Sequence, residues 1–402
     1  MKLKNVSIWV LAFLVFALRY WLALPAKNDS GNVGFYLGQR VEIEAVVAES
    51  PDIEDAVGIF YLDVRKIKLF GSWREIVGKI AIKTVMVQMP EIGDILILSG
   101  ILEEYFIPDP RIRGFIKSPS VEVVNRSAYN VFGALHRLKL VLIERLNGVF
   151  PEPSSSLAAG ILLGSRSAIP ADNKQDFKTC GLTHILAISG YNIVIVISFI
   201  SAICAFLPRK YSVTLSILMV AVFTLLVGAS ASVVRAAFMG SLSLVAKFFG
   251  RPYSGLRALF ITGFAMALLD PFIIFYDIGF QLSFAATAGM ILFSKRINEK
   301  LKFVPEKFSL RENLASTWSA QVFALPIIFF QFKNFSAIST FANLVVLPFI
   351  PILMVGSFLG LIFGKIFAGP TWILFEAVIY IIHLLAGIPG ASFNFGAPFG
   401  IS

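Results

Sequence analysis

Apolar runs long enough to cross a bilayer recur along the chain from residue 181 to residue 388, more than any soluble core has use for. A spanning helix needs about 20 apolar residues, because the hydrocarbon core is about 30 Å thick and each helical residue rises about 1.5 Å. The successive candidates are 181–207, 211–230, 232–249, 254–269, 271–293, 314–330, 336–347, 349–367 and 371–388. Several of them are short enough to be broken or re-entrant. The chain is 57% hydrophobic and 15% charged, against roughly half and a quarter in a soluble domain. The expected fold class is a polytopic α-helical membrane protein, and one stretch departs from it.

That stretch comes after an N-terminal anchor. "MKLKN" precedes an apolar run at 6–24, and the run ends in "LPAKND", a poor cleavage site, so residues 1–25 read as an uncleaved transmembrane anchor. Lys2 and Lys4 place the N-terminus in the cytoplasm, so the chain beyond the anchor emerges outside. From 38 to 125 the pattern has period two. In "RVEIEAVV", Val41, Ile43, Ala45 and Val47 face one way while Glu42 and Glu44 face the other. "GIFYLDVRKI", "GKIAIKTVMV", "GDILILSGIL" and "SVEVVN" supply four more β-rich runs, separated by "SPDIEDAV", "FGSWRE", "QMPEIG" and "IPDPRIRG". Five short strands in this length predict an inserted all-β, OB-like soluble domain. Residues 128–150 read as an amphipathic interfacial helix carrying Arg137, Lys139 and Arg145. Residues 154–402 form the multi-helix membrane domain, opening with "SSSLAAGILLGSRSAIP", which is too short to span.

Charge orients the spans. The loop Ser294–Glu312 is the longest basic one and belongs in the cytoplasm. Counting back, "GRP" after Lys247 and "LPRK" also lie inside, which returns Gly181 to the outside beside the β domain. The net charge of +10 partly reflects this bias and also suits an anionic ligand.

Polar side chains inside apolar runs are costly and face a cavity or a partner. Within "THILAISGYNI" stand His184, Ser189 and Asn192. Ser232 and Arg235 are three apart, and Asp277 and Gln281 four apart, so each pair shares a helix face. Gln321, Asn343, Glu376 and His383 add to the set. Taken singly, such residues serve as interhelical glue; together they point to a polar interior. A serine hydrolase needs its nucleophile beside a base. His184 and Ser189, read as five apart on one helix, diverge by roughly 140°, which leaves only His383 as base. No Walker loop is present. With three histidines and two cysteines outside any CxxC, neither a metal nor another cofactor is expected.

"LLGSRSAIPADNKQDFKTCGLTHILAISGYNI" resembles the signature of the ComEC competence proteins. "SASVVRAAFMGSLSLVAKFFGRP", "ALLDPFIIFYDIGFQLSFAATAGMILF" and "ANLVVLP" are similar to the family's later blocks, in the same order. The resemblance implies an inner-membrane channel for single-stranded DNA during natural transformation. The polar set would line the conduit, and Arg137, Lys139 and Arg166 would contact DNA. A cytoplasmic ATP-driven motor, an extracytoplasmic DNA receptor and membrane lipids are the implied partners, and a homo-oligomer is compatible with it. Tyr191 and Asn192 replace the family's usual Leu-His. Many members carry a metallo-β-lactamase-like domain. This sequence has no HxHxDH, so no zinc nuclease is expected in it. A transporter of another anionic or lipid-linked solute is the competing reading.

Overall fold

The computed structural model describes residues 2–24, 29–48, 52–54, 57–69, 71–84, 93–105, 109–125, 131–165, 169–186, 188–306, 310–332 and 334–394. It divides into two compact units, 1–138 with 268–272, and 139–267 with 273–402.

The first unit begins with α1 (Lys2–Ala23). Its strands are β1 (Arg40–Val47), β2 (Asp52–Glu54), β3 (Val57–Leu69), β4 (Ser72–Thr84), β5 (Ile95–Ile101), β6 (Ile112–Lys117) and β7 (Ser120–Asn125). They form one seven-stranded sheet in the order β6-β4-β3-β1-β5-β7, with β2 against β3. All pairs are antiparallel except β4 with β6. Beyond β5 the chain turns back on β6, where Glu103 and Phe115 exchange two backbone hydrogen bonds of 2.8 Å. That bridge joins β6, at one end of the path, to the chain just after β5, so that β1, β3, β4, β6 and β5 form a ring with β7 outside it. The period-two pattern fills it: Ile43, Leu62, Ile80, Leu96, Leu98 and Ile116 are fully buried, with Val33 among them.

Three strands differ from the expectation. β6 begins inside "IPDPRIRG", where Pro, Asp and Gly gave a turn signal, and runs on to Lys117, while "SWRE" belongs to β4. Parallel pairing with β4 overrides weak local propensity here. The short β2 sits within "SPDIEDAV" and extends only the edge of β3.

The same unit contains a polar junction. Arg111 donates through Nε and Nη2 to the Asp109 carboxylate, at 2.7 Å for the shortest contact, and through Nη1 to Asp270 Oδ2 at 3.2 Å. Asp270 Oδ1 accepts from the Phe272 amide at 3.0 Å. From α1, Arg19 Nε donates to the Leu268 carbonyl at 3.2 Å, and Tyr20 meets the Phe272 ring edge-on at 5.2 Å. The facing carboxylates hold the Arg111 guanidinium above its ordinary range despite its burial.

The second unit is helical. α2 (Val131–Val149) leads into it, followed by α3 (Ser154–Leu163), α4 (Ala171–Thr179), α5 (Thr183–Leu186), α6 (Gly190–Ile203), α7 (Arg209–Val227), α8 (Ala231–Phe248) and α9 (Gly255–Leu269). After α10 (Ile273–Tyr276) come α11 (Ile278–Lys300), α12 (Leu310–Phe332), β8 (Asn334–Ser336), α13 (Ser339–Val346), α14 (Ile350–Phe363), α15 (Lys365–Ala386) and β9 (Ser392–Asn394). Among the described residues, six helical stretches are long and apolar enough to cross a membrane: α7, α8, α11, α12, α13 with α14, and α15. No more than 39% of any of their hydrophobic windows is buried within the chain. The rest of that apolar surface, such as Leu218, Met219, Val222 and Leu225 on α7, is exposed. A soluble protein rarely shows so much; in lipid it is the expected surface. The chain is a multi-pass membrane protein.

Helix α3 is the exception in this unit. All ten of its residues are buried, as in a helix packed on every side. It lies in a core built with α4, α5 and α13 to α15. Cys180 and Cys204 are both buried free thiols.

Candidate functional site

The run "THILAISGYNI" is a broken helix. One turn of α5 ends at Leu186, and α6 starts at Gly190. Ser189 stands between them with extended backbone (φ −93°, ψ 164°) as the N-cap of α6. Its Oγ accepts from the Asn192 amide at 3.4 Å and donates to Asn192 Oδ1 at 3.0 Å. Ser at N-cap with a polar amide three residues on is how a helix start satisfies its free N–H groups. His184 and Ser189 therefore do not share one helix, contrary to the expectation from their spacing, because the N-cap geometry takes Ser189 out of helical register. His184 is exposed on α5.

Asn192 is 2% exposed, and its Nδ2 donates to the Ile161 carbonyl of α3 at 3.1 Å. This one side chain fastens the break to the buried helix. Asn192→Ala would leave that carbonyl unpaired, so a loss of about 1–3 kcal/mol of stability is expected. A thermal melt in detergent measures it, and an unchanged midpoint would show that the clamp carries nothing.

Arg235, on α8, lies over the start of α6. A Cβ added at Gly190 would come within 2.5 Å of Arg235 Nη2, so the guanidinium occupies the space that glycine leaves. Arg235 is 9% exposed. Its Nε donates to Ser283 Oγ at 2.7 Å and its Nη1 to Thr287 Oγ1, both on α11. No carboxylate stands within ion-pair range of it among the described residues. A buried cation held only by hydroxyls, beside the positive end of a helix, is an electrostatic arrangement that favours an anion.

The other sequence candidates are placed differently. Asp277 is the N-cap of α11, with Oδ1 accepting from the Phe280 amide at 2.7 Å. Gln281 Nε2 donates to the Ile274 and Phe275 carbonyls at 3.0 and 2.9 Å, which ties α10 to α11. Gln281 and Thr287 are six apart, roughly 240° around the helix, so Gln281 points away from Arg235. Ser232 Oγ lies 3.4 Å from Ser230 Oγ. Gln321 clamps α12 to α13, donating to Ser339 Oγ at 3.2 Å and accepting from Thr340 Oγ1 at 2.9 Å. Asn343 is buried, with no partner for Oδ1 among the described residues. Lys139 Nζ reaches the Val227 carbonyl at the end of α7, at 3.5 Å. Arg137 is exposed on α2, and Arg166 lies outside the described residues.

A serine hydrolase finds no Ser–His hydrogen bond among the described residues. Ser189 is engaged with Asn192, and His383 Nδ1 meets Asp176 Oδ2 at 2.7 Å. Among the described residues no group of three or more His, Cys, Asp or Glu side chains is gathered that could hold a metal ion. Sequence reading missed Ser283 and Thr287. The i, i+4 hydroxyls of "QLSFAAT" were the available signal.

Residues 161–401 match the family described as Competence protein. The chain is also 25% identical to the ComE operon protein 3 of Bacillus subtilis over 364 residues, which is 87% of this chain and 45% of that protein. It thus spans a little under half the length of this curated relative. No solved structure matches it. With a match over more than half its length, the chain belongs to the competence protein family.

Proposed function

We propose that the protein conducts single-stranded DNA across the cytoplasmic membrane during natural transformation. The observation that carries this reading is Arg235, a buried guanidinium with no carboxylate partner among the described residues, set at a helix break in a multi-pass competence protein. A conduit for a polyanion needs isolated positive groups among neutral hydroxyls and amides, since a dense basic lining would bind too tightly for release. Deleting the gene and scoring transformation is the direct test. Normal DNA uptake in the deletion strain would remove the reading.

The β unit serves as an OB-like module that meets DNA outside the membrane. Its ring order, β1-β3-β4-β6-β5, with β4 and β6 parallel, supports an OB-like barrel. The orientation, with the N-terminus inside and the β domain outside, draws support from the junction around Asp270. Charge counting puts both the end of α1 and the 268–272 segment outside, and Arg19, Tyr20 and Arg111 all contact that segment. A motor and a DNA receptor on other chains complete the proposal.

Binding to single-stranded DNA by the purified full chain is expected to weaken steeply with salt. Three to four phosphate contacts imply a slope of log K against log[salt] of about −2 to −3. A flat salt dependence measured by fluorescence anisotropy would exclude phosphate recognition.

A further inference from the structure

A second polar site lies at the opposite end of α11 from its Asp277 cap. α11 and α12 are in close contact at Gly289, where an added Cβ would come within 2.2 Å of the Ser319 carbonyl. One residue further on they part, and a cleft of about 600 Å³ opens between them toward their connecting loop. Met290, Ile291, Ser294 and Asn298 line one wall, and Glu312, Asn313 and Ser316 the other, with Lys295 at the edge. Beside it, Arg311 fastens residues 302–306 to the start of α12: its Nε and Nη2 donate to the Val304 and Lys302 carbonyls at 2.9 and 3.0 Å, while Nη1 pairs with Glu306.

The chemistry of the cleft is specific. Asn298 Oδ1 is buried and has no hydrogen-bond partner among the described residues, so it lacks a donor. Lys295 and Glu312 flank the cleft, and no ion pair joins them among the described residues. Asn298 and Asn313 each present both a donor and an acceptor, as do the two serine hydroxyls. Such a lining pairs with the edge of any base, and Lys295 supplies a point charge for a phosphate. The volume falls within the usual range for sites that enclose a small organic ligand, about 300–1,000 Å³.

We propose that this cleft binds one nucleotide unit of a single nucleic-acid strand, without base preference, on the cytoplasmic side of the conduit. The inference rests on the conduit reading above. It adds an exit site that accepts the strand as it leaves the helical unit.

The test uses the full chain in detergent with a single-stranded oligonucleotide carrying photoreactive 5-iodouracil. Irradiation is expected to yield adducts within 290–316, mapped by mass spectrometry. Asn298→Ala, which removes the unpaired buried oxygen without adding a charge, is expected to cut adduct yield there at least about tenfold without lowering the melting temperature. Lys295→Ala is expected to make the salt slope of binding shallower by about 0.7, one phosphate contact on a single strand. Adducts elsewhere in the chain but none within 290–316 would overturn the cleft while leaving the conduit intact. Normal transformation in the deletion strain would remove the conduit itself. Competition by a free mononucleotide as strong as by an oligonucleotide of equal nucleotide concentration would overturn the strand assignment.

Discussion

Replacing Arg235 by leucine is expected to lower DNA uptake about 10–100-fold while leaving the protein as stable as before or more stable. The opposite signs arise from one structural fact. A guanidinium at 9% exposure has lost most of its water, and it recovers hydrogen bonds only from Ser283 and Thr287, with no carboxylate in reach among the described residues. Isolated buried charge costs stability. Leucine fills similar space without that cost, and Thr287 keeps its own bond to the Ser283 carbonyl at 2.8 Å. On the proposed function, the sign reverses for a transiting phosphate. A charge-assisted hydrogen bond contributes about 1.5–3 kcal/mol, and each 1.4 kcal/mol is a tenfold change. Arg235→Lys keeps the charge but not the fork that spans two hydroxyls, so it should recover only part of the activity. Transformation frequency and a thermal melt on the same variants decide the matter. A large loss of stability in Arg235→Leu would mean that the residue is structural.

Gly190 offers an independent check on the same geometry. An added methyl meets the flexible end of Arg235, not backbone, so Gly190→Ala should displace the guanidinium without breaking α6. Its effect on uptake should then vanish in an Arg235→Leu background, because the two changes act through one group.

The other large effect concerns the β unit. Arg111→Ala is expected to destabilise the first unit by about 3–5 kcal/mol, since it strands the Asp109 carboxylate at 9% exposure with its guanidinium gone. Asp270→Asn should cost less, about 1–2 kcal/mol, because its one amide oxygen still accepts from the Phe272 amide, and only the 3.2 Å contact to Arg111 is lost while Arg111 keeps Asp109. Denaturation of the full chain, monitored by the fluorescence of its tryptophans, tests this. Equal losses for the two variants would mean that Arg111 acts through Asp270 alone.

Much of this was legible along the chain. Spanning length and hydropathy identify the membrane class, because the thickness of hydrocarbon sets one length for every crossing. Period-two alternation identified β1 and most of β3, β4, β5 and β7, since a strand buries every second residue whatever its partner. Four ordered sequence blocks identified the family. β6 escaped because its strand character comes from pairing with β4, which lies some thirty residues earlier.

The polar residues show the same division most sharply. The sequence located Ser189, Asn192, Arg235, Asp277, Gln281 and Gln321 in apolar surroundings and marked them as costly. Which of them are spent on the fold and which stay available is a matter of partners in space. Asp277 caps a helix, Gln281 ties two helices together and Asn192 fastens a break to α3. Arg235 alone of these meets only hydroxyls from a helix about fifty residues away. Burial and its cost depend on residue type and local hydropathy, which a linear sequence carries. Compensation depends on where other elements place donors and acceptors, and only the packed tertiary structure decides that.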